Sequence, residues 1–234
     1  MRARAAVLPL AALLLTSCAA NIAARLEQTG AASISVKASL PPLIAAKLRR
    51  LGGIPETTPL FDLRAVRASL ASRSGLVIRS LSNPSPDSLG FAAETGNLEA
   101  ALYQPETDDP GILSLRSSRG QTELVLRLVR GQGSAIAALA PGLDPDILEA
   151  LAPPALDAGD WSRAEYREML ADILGSKILP ELDAATIDCA VSLPGKIVSS
   201  KGGTIEGSTW KFSIPLFDLL VLEKPIEYRV RWQP

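Results

Sequence analysis

Histidine is absent from this 234-residue chain, and cysteine occurs only twice. Without an imidazole, no Ser-His-Asp or Cys-His catalytic site, no histidine-ligated metal and no histidine general base can form. A basic surplus is missing too. The chain has 24 lysine plus arginine residues against 25 acidic ones, and no basic cluster carries interleaved aromatics. Nothing therefore predicts a nucleic-acid partner. The apolar run Ala5 to Leu15 falls well short of the ~20 residues that a membrane-spanning helix needs. Aromatic residues make up only 4% of the chain, but 47% is hydrophobic and 21% charged, a composition that predicts a folded globular body.

What is present begins at the amino end. Met1-Arg2-Ala3-Arg4 is a short positive start, Ala5 to Leu15 is apolar, and small residues lead to Cys18. This is the order of a secretory signal peptide. The closing Leu15-Thr16-Ser17-Cys18 resembles the bacterial lipobox, in which the cysteine thiol is acylated and becomes the new N-terminus. The resemblance implies that residues 1–17 are a lipoprotein signal peptide and that Cys18 is the lipidation site. It implies a place in the bacterial cell envelope, facing the periplasm or the cell surface, with the membrane as partner through the acyl chains. Each buried methylene contributes about 0.8 kcal/mol, so two or three chains hold a protein firmly. Residues 18–30 read as a tether and residues 31–234 as a single α+β domain, with a subdomain boundary possible near 153–160. If Cys18 carries lipid, Cys189 has no partner and no disulfide is expected. The alternation Ile187, Cys189, Val191 places Cys189 on the buried face of a strand.

Hydrophobic periodicity predicts the elements that follow. Ile34, Val36 and Ala38 alternate with Ser33, Ser35 and Lys37 as a strand. Leu43, Ala46, Leu48 and Leu51 mark a short helix ended by Gly52-Gly53. Thr58-Pro59 reads as a cap before a helix carrying Leu60, Leu63, Val66 and Leu70. Strands follow over Leu76–Leu81 and Leu89–Ala93, separated by a proline-rich turn at Asn83 to Asp87, and then a turn or two of helix over Leu98–Tyr103. Ile112–Arg116 and Glu123–Arg130 form a hairpin around Ser118 to Gln121. Ser134–Ala140 and Asp144–Leu151 are helical. Ser162 and Glu165 form a capping box that opens a helix with the stripe Tyr166, Met169, Leu170 and Ile173. From Thr186 the chain is β-rich: Trp210, Phe212 and Ile214 alternate, as do Ile226, Tyr228, Val230 and Trp232. The predicted fold class is α+β, with antiparallel sheets, several helices packed on one side and a C-terminal β-rich segment. Pairing of Ile34–Ala38 with the last strand in one sheet supports a single domain.

Few constellations carry chemistry. Ser208-Thr209-Trp210-Lys211 matches Ser-x-x-Lys, but on a strand residues three apart face opposite ways. The acid pairs Asp108-Asp109 and Asp144-Pro145-Asp146 lack calcium-loop spacing and read as turns and caps. Gly131-Gln132-Gly133 lacks the rest of a phosphate loop. Asp188 and Glu206 are only two among many carboxylates, and no spacing singles out a catalytic pair. The run Pro215 to Leu222 is different: it connects two amphipathic strands and is almost wholly apolar, where a surface connection is usually polar. Either it plugs the end of a sheet as core or it forms an apolar lip for acyl chains. Leu216, Phe217, Leu219, Leu220 and Leu222 are its candidate lipid contacts.

The segment Leu193-Pro194-Gly195-Lys196-Ile197-Val198, followed by Lys201-Gly202-Gly203 and Ser208-Thr209-Trp210, resembles LppM-type bacterial lipoproteins, in which a Pro-Gly element precedes a polar glycine turn and a tryptophan strand. The likeness implies an envelope lipoprotein domain of α+β fold suspected of binding lipid, and it carries over no catalytic residue. The expected function is therefore a lipid-anchored envelope protein with a non-catalytic domain that binds a lipid or amphiphile, without cofactor or metal. The alternative is a structural or protein-interaction lipoprotein, docked on an envelope protein and lacking a ligand groove.

Overall fold

Ala20, Ile22, Ala24 and Leu26 alternate with Asn21, Ala23 and Arg25, and a period of two suits an extended chain. In the computed structural model, which describes residues 18–71, 75–102, 112–118, 120–132, 142–156 and 161–233, this stretch is strand β1 (Cys18–Leu26). It is followed by β2 (Ala32–Ser39), α1 (Pro42–Leu51), α2 (Leu63–Ala71), β3 (Leu76–Ser82), β4 (Ser88–Thr95) and α3 (Leu98–Leu102). Next come the hairpin β5 (Leu113–Ser118) and β6 (Gln121–Leu128), then α4 (Pro145–Leu151), α5 (Arg163–Leu174) and, after a 3-10 turn, α6 (Leu179–Ala184). The last third is β7 (Thr186–Ser192), β8 (Lys196–Lys201), β9 (Thr204–Glu206), β10 (Thr209–Pro215), α7 (Leu216–Val221) and β11 (Ile226–Gln233). The expected signal segment, the helix over Ser134–Ala140 and the pair Asp108-Asp109 lie outside the described residues.

The fold is α+β, built on two largely antiparallel sheets. One has the strand order β3-β4-β2-β1-β7-β10-β9, the other β5-β6-β11-β8. The tether expected over residues 18–30 is corrected here. Through Leu26 that segment is a strand paired on both edges, antiparallel to β2 and parallel to β7. Glu27 to Gly30 form only the turn to β2, closed by the Gly30 N–H on the Glu27 carbonyl at 3.0 Å. The reason is backbone satisfaction: from Ala20 to Arg25 both neighbouring strands offer β1 ladder partners. The expected pairing of Ile34–Ala38 with the last strand is corrected as well. Both edges of β2 are occupied, by β1 and β4, and both edges of β11 by β6 and β8.

The inner faces of the two sheets share one core, with Trp210, Leu128, Val230, Trp232 and Ala155 among its most buried members. The chain crosses between sheets at Gly202-Gly203, where β8 of one sheet hands over to β9 of the other. The indole N–H of Trp210 donates to the Gly202 carbonyl at 2.9 Å, and Phe212 stacks on Tyr228 at 4.4 Å between ring centroids. Both glycines sit at φ +75°, and a Cβ on Gly203 would lie 2.3 Å from the Lys211 carbonyl oxygen. The spacing of the Gly-Gly turn and the tryptophan strand is thus a requirement of the corner.

Three helix readings change. The inward face of α1 is Ile44, Ala45, Leu48 and Arg49, so Leu43 and Leu51 of the expected stripe face solvent. Apolar residues stand on both sides of this helix, and the side meeting Leu89, Phe217 and Val221 is the one buried. Thr58-Pro59 caps nothing: Thr58 gives its carbonyl to Arg49, and Asp62 caps α2 by accepting the Arg64 N–H at 2.7 Å. In α5 the buried stripe is Tyr166, Leu170 and Leu174, and Ile173 is exposed. The capping box stands, with the Ser162 N–H donating to Glu165 Oε2 at 2.8 Å. That bond and the Ser162 hydroxyl hold the Glu165 carboxyl below its ordinary range, the hydroxyl contributing most.

Gly203→Ala is expected to destabilise the protein by about 3 kcal/mol or more, because strain at positive φ adds to a backbone clash. Gly207→Ala, at φ +62° but with nothing within 4 Å of an added Cβ, should cost only about 1 kcal/mol. Urea unfolding of the two variants checks the difference.

Candidate functional site at the Cys18 end of the sheet

The register of the seven-stranded sheet brings four strand ends together. Cys18 lies beside Thr186 at the start of β7, and Thr186 faces Pro215 at the end of β10. Ala20 faces Ala38, so β2 also ends here and runs through Leu40 into α1. Helices close this end. The first residue of α7 donates its N–H to the Ala185 carbonyl at 2.9 Å, tying the helix to the start of β7. On α6, Glu181 accepts the N–H groups of Leu43 and Ile44 at 2.9 and 3.3 Å and so caps α1 from outside.

The turn between β3 and β4 holds α1 at both ends. The Asp87 carbonyl accepts the Leu40 N–H at 3.0 Å, and the Asp87 carboxylate accepts the guanidinium of Arg49, with Nε at 2.9 Å. Arg49 also donates to the carbonyls of Pro55 and Thr58. This arginine is only 6% exposed, and every bond it makes offsets the cost of burying its charge. Sequence reasoning missed Arg49, Asp87 and Glu181. The available signal was a lone arginine on the otherwise apolar inner face of a helix.

Of the predicted contacts, Phe217, Leu219 and Leu222 point into the core, and Leu216 and Leu220 are half-buried. The apolar run is a six-residue helix that plugs the sheet end. Phe217 packs on Tyr166 at 6.0 Å between centroids, and the Arg163 guanidinium lies 4.7 Å over its ring while bridging to Asp218. Arg130 donates to the Val221 carbonyl at 2.9 Å. Burial pushes the Tyr166 hydroxyl well above its ordinary range, and the hydroxyl donates to the Leu151 carbonyl at 3.1 Å.

The other chemistry-bearing residues are not gathered at one place. Lys211 points away from the core and pairs with Glu206, as its strand position dictates. Asp188 accepts from the Ser213 hydroxyl at 2.6 Å on the outer face of the sheet, and Asp144 caps α4. Cys189 is buried in the core. Among the described residues no three acidic or cysteine side chains converge as a metal site, and no helix is long and apolar enough to cross a membrane. Two open troughs mark the outer sheet faces. One, of about 410 Å³, is lined by Asn21, Ser35, Lys37 and Ser80 together with the apolar Pro84 and Phe91. The other, of about 330 Å³, has Ser199, Lys201, Glu227, Arg229 and Arg231, and the Lys201 ammonium bonds Glu227 and holds its carboxyl below the usual range.

Phe217→Ala is expected to lower stability by about 3–5 kcal/mol, the range for removing a fully buried ring, whereas half-buried Leu216→Ala should cost under about 2 kcal/mol. Chemical denaturation of both variants measures this, and equal small losses would contradict the packing described.

No protein-family profile matches the chain, and no curated protein matches it. Among solved structures it is similar to the folded domain of Mycobacterium tuberculosis LppM, determined by NMR, at 11% identity and a TM-score of 0.41, over 92% of this chain and 88% of that one.

Proposed function

We propose that this protein is a lipid-anchored component of the bacterial cell envelope, acylated at Cys18, whose α+β domain works by binding rather than by catalysis. One observation carries this: Leu15-Thr16-Ser17-Cys18, which resembles a lipobox, ends on the residue that opens β1. Acyl chains on Cys18 would therefore hang directly from a paired strand, and the Cys18 end of the sheet would face the bilayer. The domain would then stand on the periplasmic or outer surface of the membrane.

Two modes of binding follow from the sequence, and the geometry supports them unequally. Acyl-chain capture by residues 216–222 retains Leu216 and Leu220, since Phe217, Leu219 and Leu222 are used as core. Docking of an envelope protein has wider support, in the open, serine-lined trough on the outer face of the larger sheet.

Mass spectrometry of the detergent-extracted mature chain should find Cys18 as the first residue, carrying a diacylglyceryl thioether. In Cys18→Ala that modification and membrane retention should both disappear. A mature chain beginning elsewhere, or an unmodified Cys18, would overturn the anchor. Under native conditions, a stoichiometric bound lipid on the anchored chain would favour amphiphile capture over protein docking.

A further inference from the structure

The outward side of α1 is unlike an ordinary solvated helix face. Leu43, Ala46, Lys47, Arg50 and Leu51 follow the spacing i, i+3, i+4, i+7 and i+8, which places them along one side of a helix. Leu43 is 44% exposed and Leu51 41%, so both ends of the stripe present a leucine to solvent. The charges between them, Lys47 and Arg50, are both basic. The two acids seen bonded to this helix are engaged away from Lys47 and Arg50: Glu181 by the N–H groups of Leu43 and Ile44, and Asp87 by Arg49. Leucines that bury in the acyl boundary, beside long cationic side chains that reach the headgroups, suit the interface of an anionic bilayer.

Position makes the same point independently. The residue at which β1 begins lies two residues beyond Ala20, and Ala20 faces Ala38, four residues before α1 starts. Asp87 ties Leu40, just before α1, and Arg49, in its last turn, so the β3–β4 turn holds the helix at this end of the sheet. In the same sheet the exposed strand hydrophobics Val77 and Ile205 stand toward the opposite end. From Cys18 to Arg25 the strand covers roughly 23 Å.

We infer that the outward face of α1 rests on the surface of the membrane that holds the anchor, its leucines at the acyl boundary and Lys47 and Arg50 against anionic lipid headgroups. This rests on the acylation of Cys18 proposed above. A strand that starts at the acylated residue leaves no slack, so the helices that close this end of the sheet, α1 among them, are carried toward the bilayer with it. The helix would then fix the tilt of the domain and the direction in which its outer sheet faces point.

The test uses the full, acylated protein in vesicles of phosphatidylcholine and phosphatidylglycerol. A maleimide fluorophore sensitive to polarity is placed at Leu43→Cys, Leu51→Cys or Val77→Cys; these sites are exposed, and Cys189 is buried away from the reagent. Flotation of the vesicles reports the anchor, and quenching by spin-labelled lipid reports contact. The expected result is flotation of all three variants, with most of the emission lost at 43 and 51 and retained at 77. Lys47→Glu combined with Arg50→Glu should restore emission at 43 and 51 without stopping flotation. Flotation with no preferential quenching would overturn the helix contact and leave the anchor standing. Failure to float would overturn the anchor and the contact with it. Emission at 43 and 51 already shielded in detergent, and indifferent to quencher lipid, would mean that a second copy covers α1 and would also overturn the inference.

Discussion

The pairing of β1 with β7 is the constraint on which the larger sheet depends. Strands β3, β4 and β2 come from the first part of the chain, and β7, β9 and β10 from the last, and β1 is the only element that touches both groups in that sheet. Its antiparallel edge is filled by β2 and its parallel edge by β7. A parallel neighbour cannot be reached by a tight turn, so β1 and β7 are joined by a long crossover, which also contributes β2, β3 and β4 to the same sheet. The helices of that crossover are deposited against the sheet and its Cys18 end as the chain returns.

From this constraint the site follows. A central strand cannot pivot about its first residue as a tether can. Whatever is attached at Cys18 is therefore oriented by the sheet, and the helices that close the sheet there, α1, α6 and α7, are placed beside it. The second sheet is held by a different device, the Gly202-Gly203 corner under Trp210 and Tyr228. The Cys18 end and the corner are thus separate structural problems. The apolar connection from Pro215 to Leu222 serves both, since its residues divide between the inter-sheet core and the helical core.

Much of the architecture was legible in the residues, and the failures have physical causes. The cleanest alternations, Trp210-Phe212-Ile214 and Ile226 to Trp232, are strands in the structure, and the Ser162–Glu165 and Asp144 caps are formed as their side-chain chemistry predicts. β1 was not legible because it is alanine-rich and has one β-branched residue, Ile22; its strand state comes from two neighbouring edges and not from propensity. The burial of Phe217 was undecidable from pattern alone, since a run apolar at nearly every position has no preferred face. In α1 the apolar stripe was legible but its side was not. Leu43 and Leu51 looked like core until Arg49, paired with Asp87, took the inner face.

Hydrogen exchange of the backbone amides of residues 21–25, compared with those of residues 189–191 in β7, tests the central claim most directly. If β1 is an interior strand, the two sets should exchange at similarly slow rates and lose protection together as denaturant is raised. Exchange of residues 21–25 at the rate of an unstructured segment, with residues 189–191 still protected, would contradict it and restore a flexible tether between Cys18 and the domain.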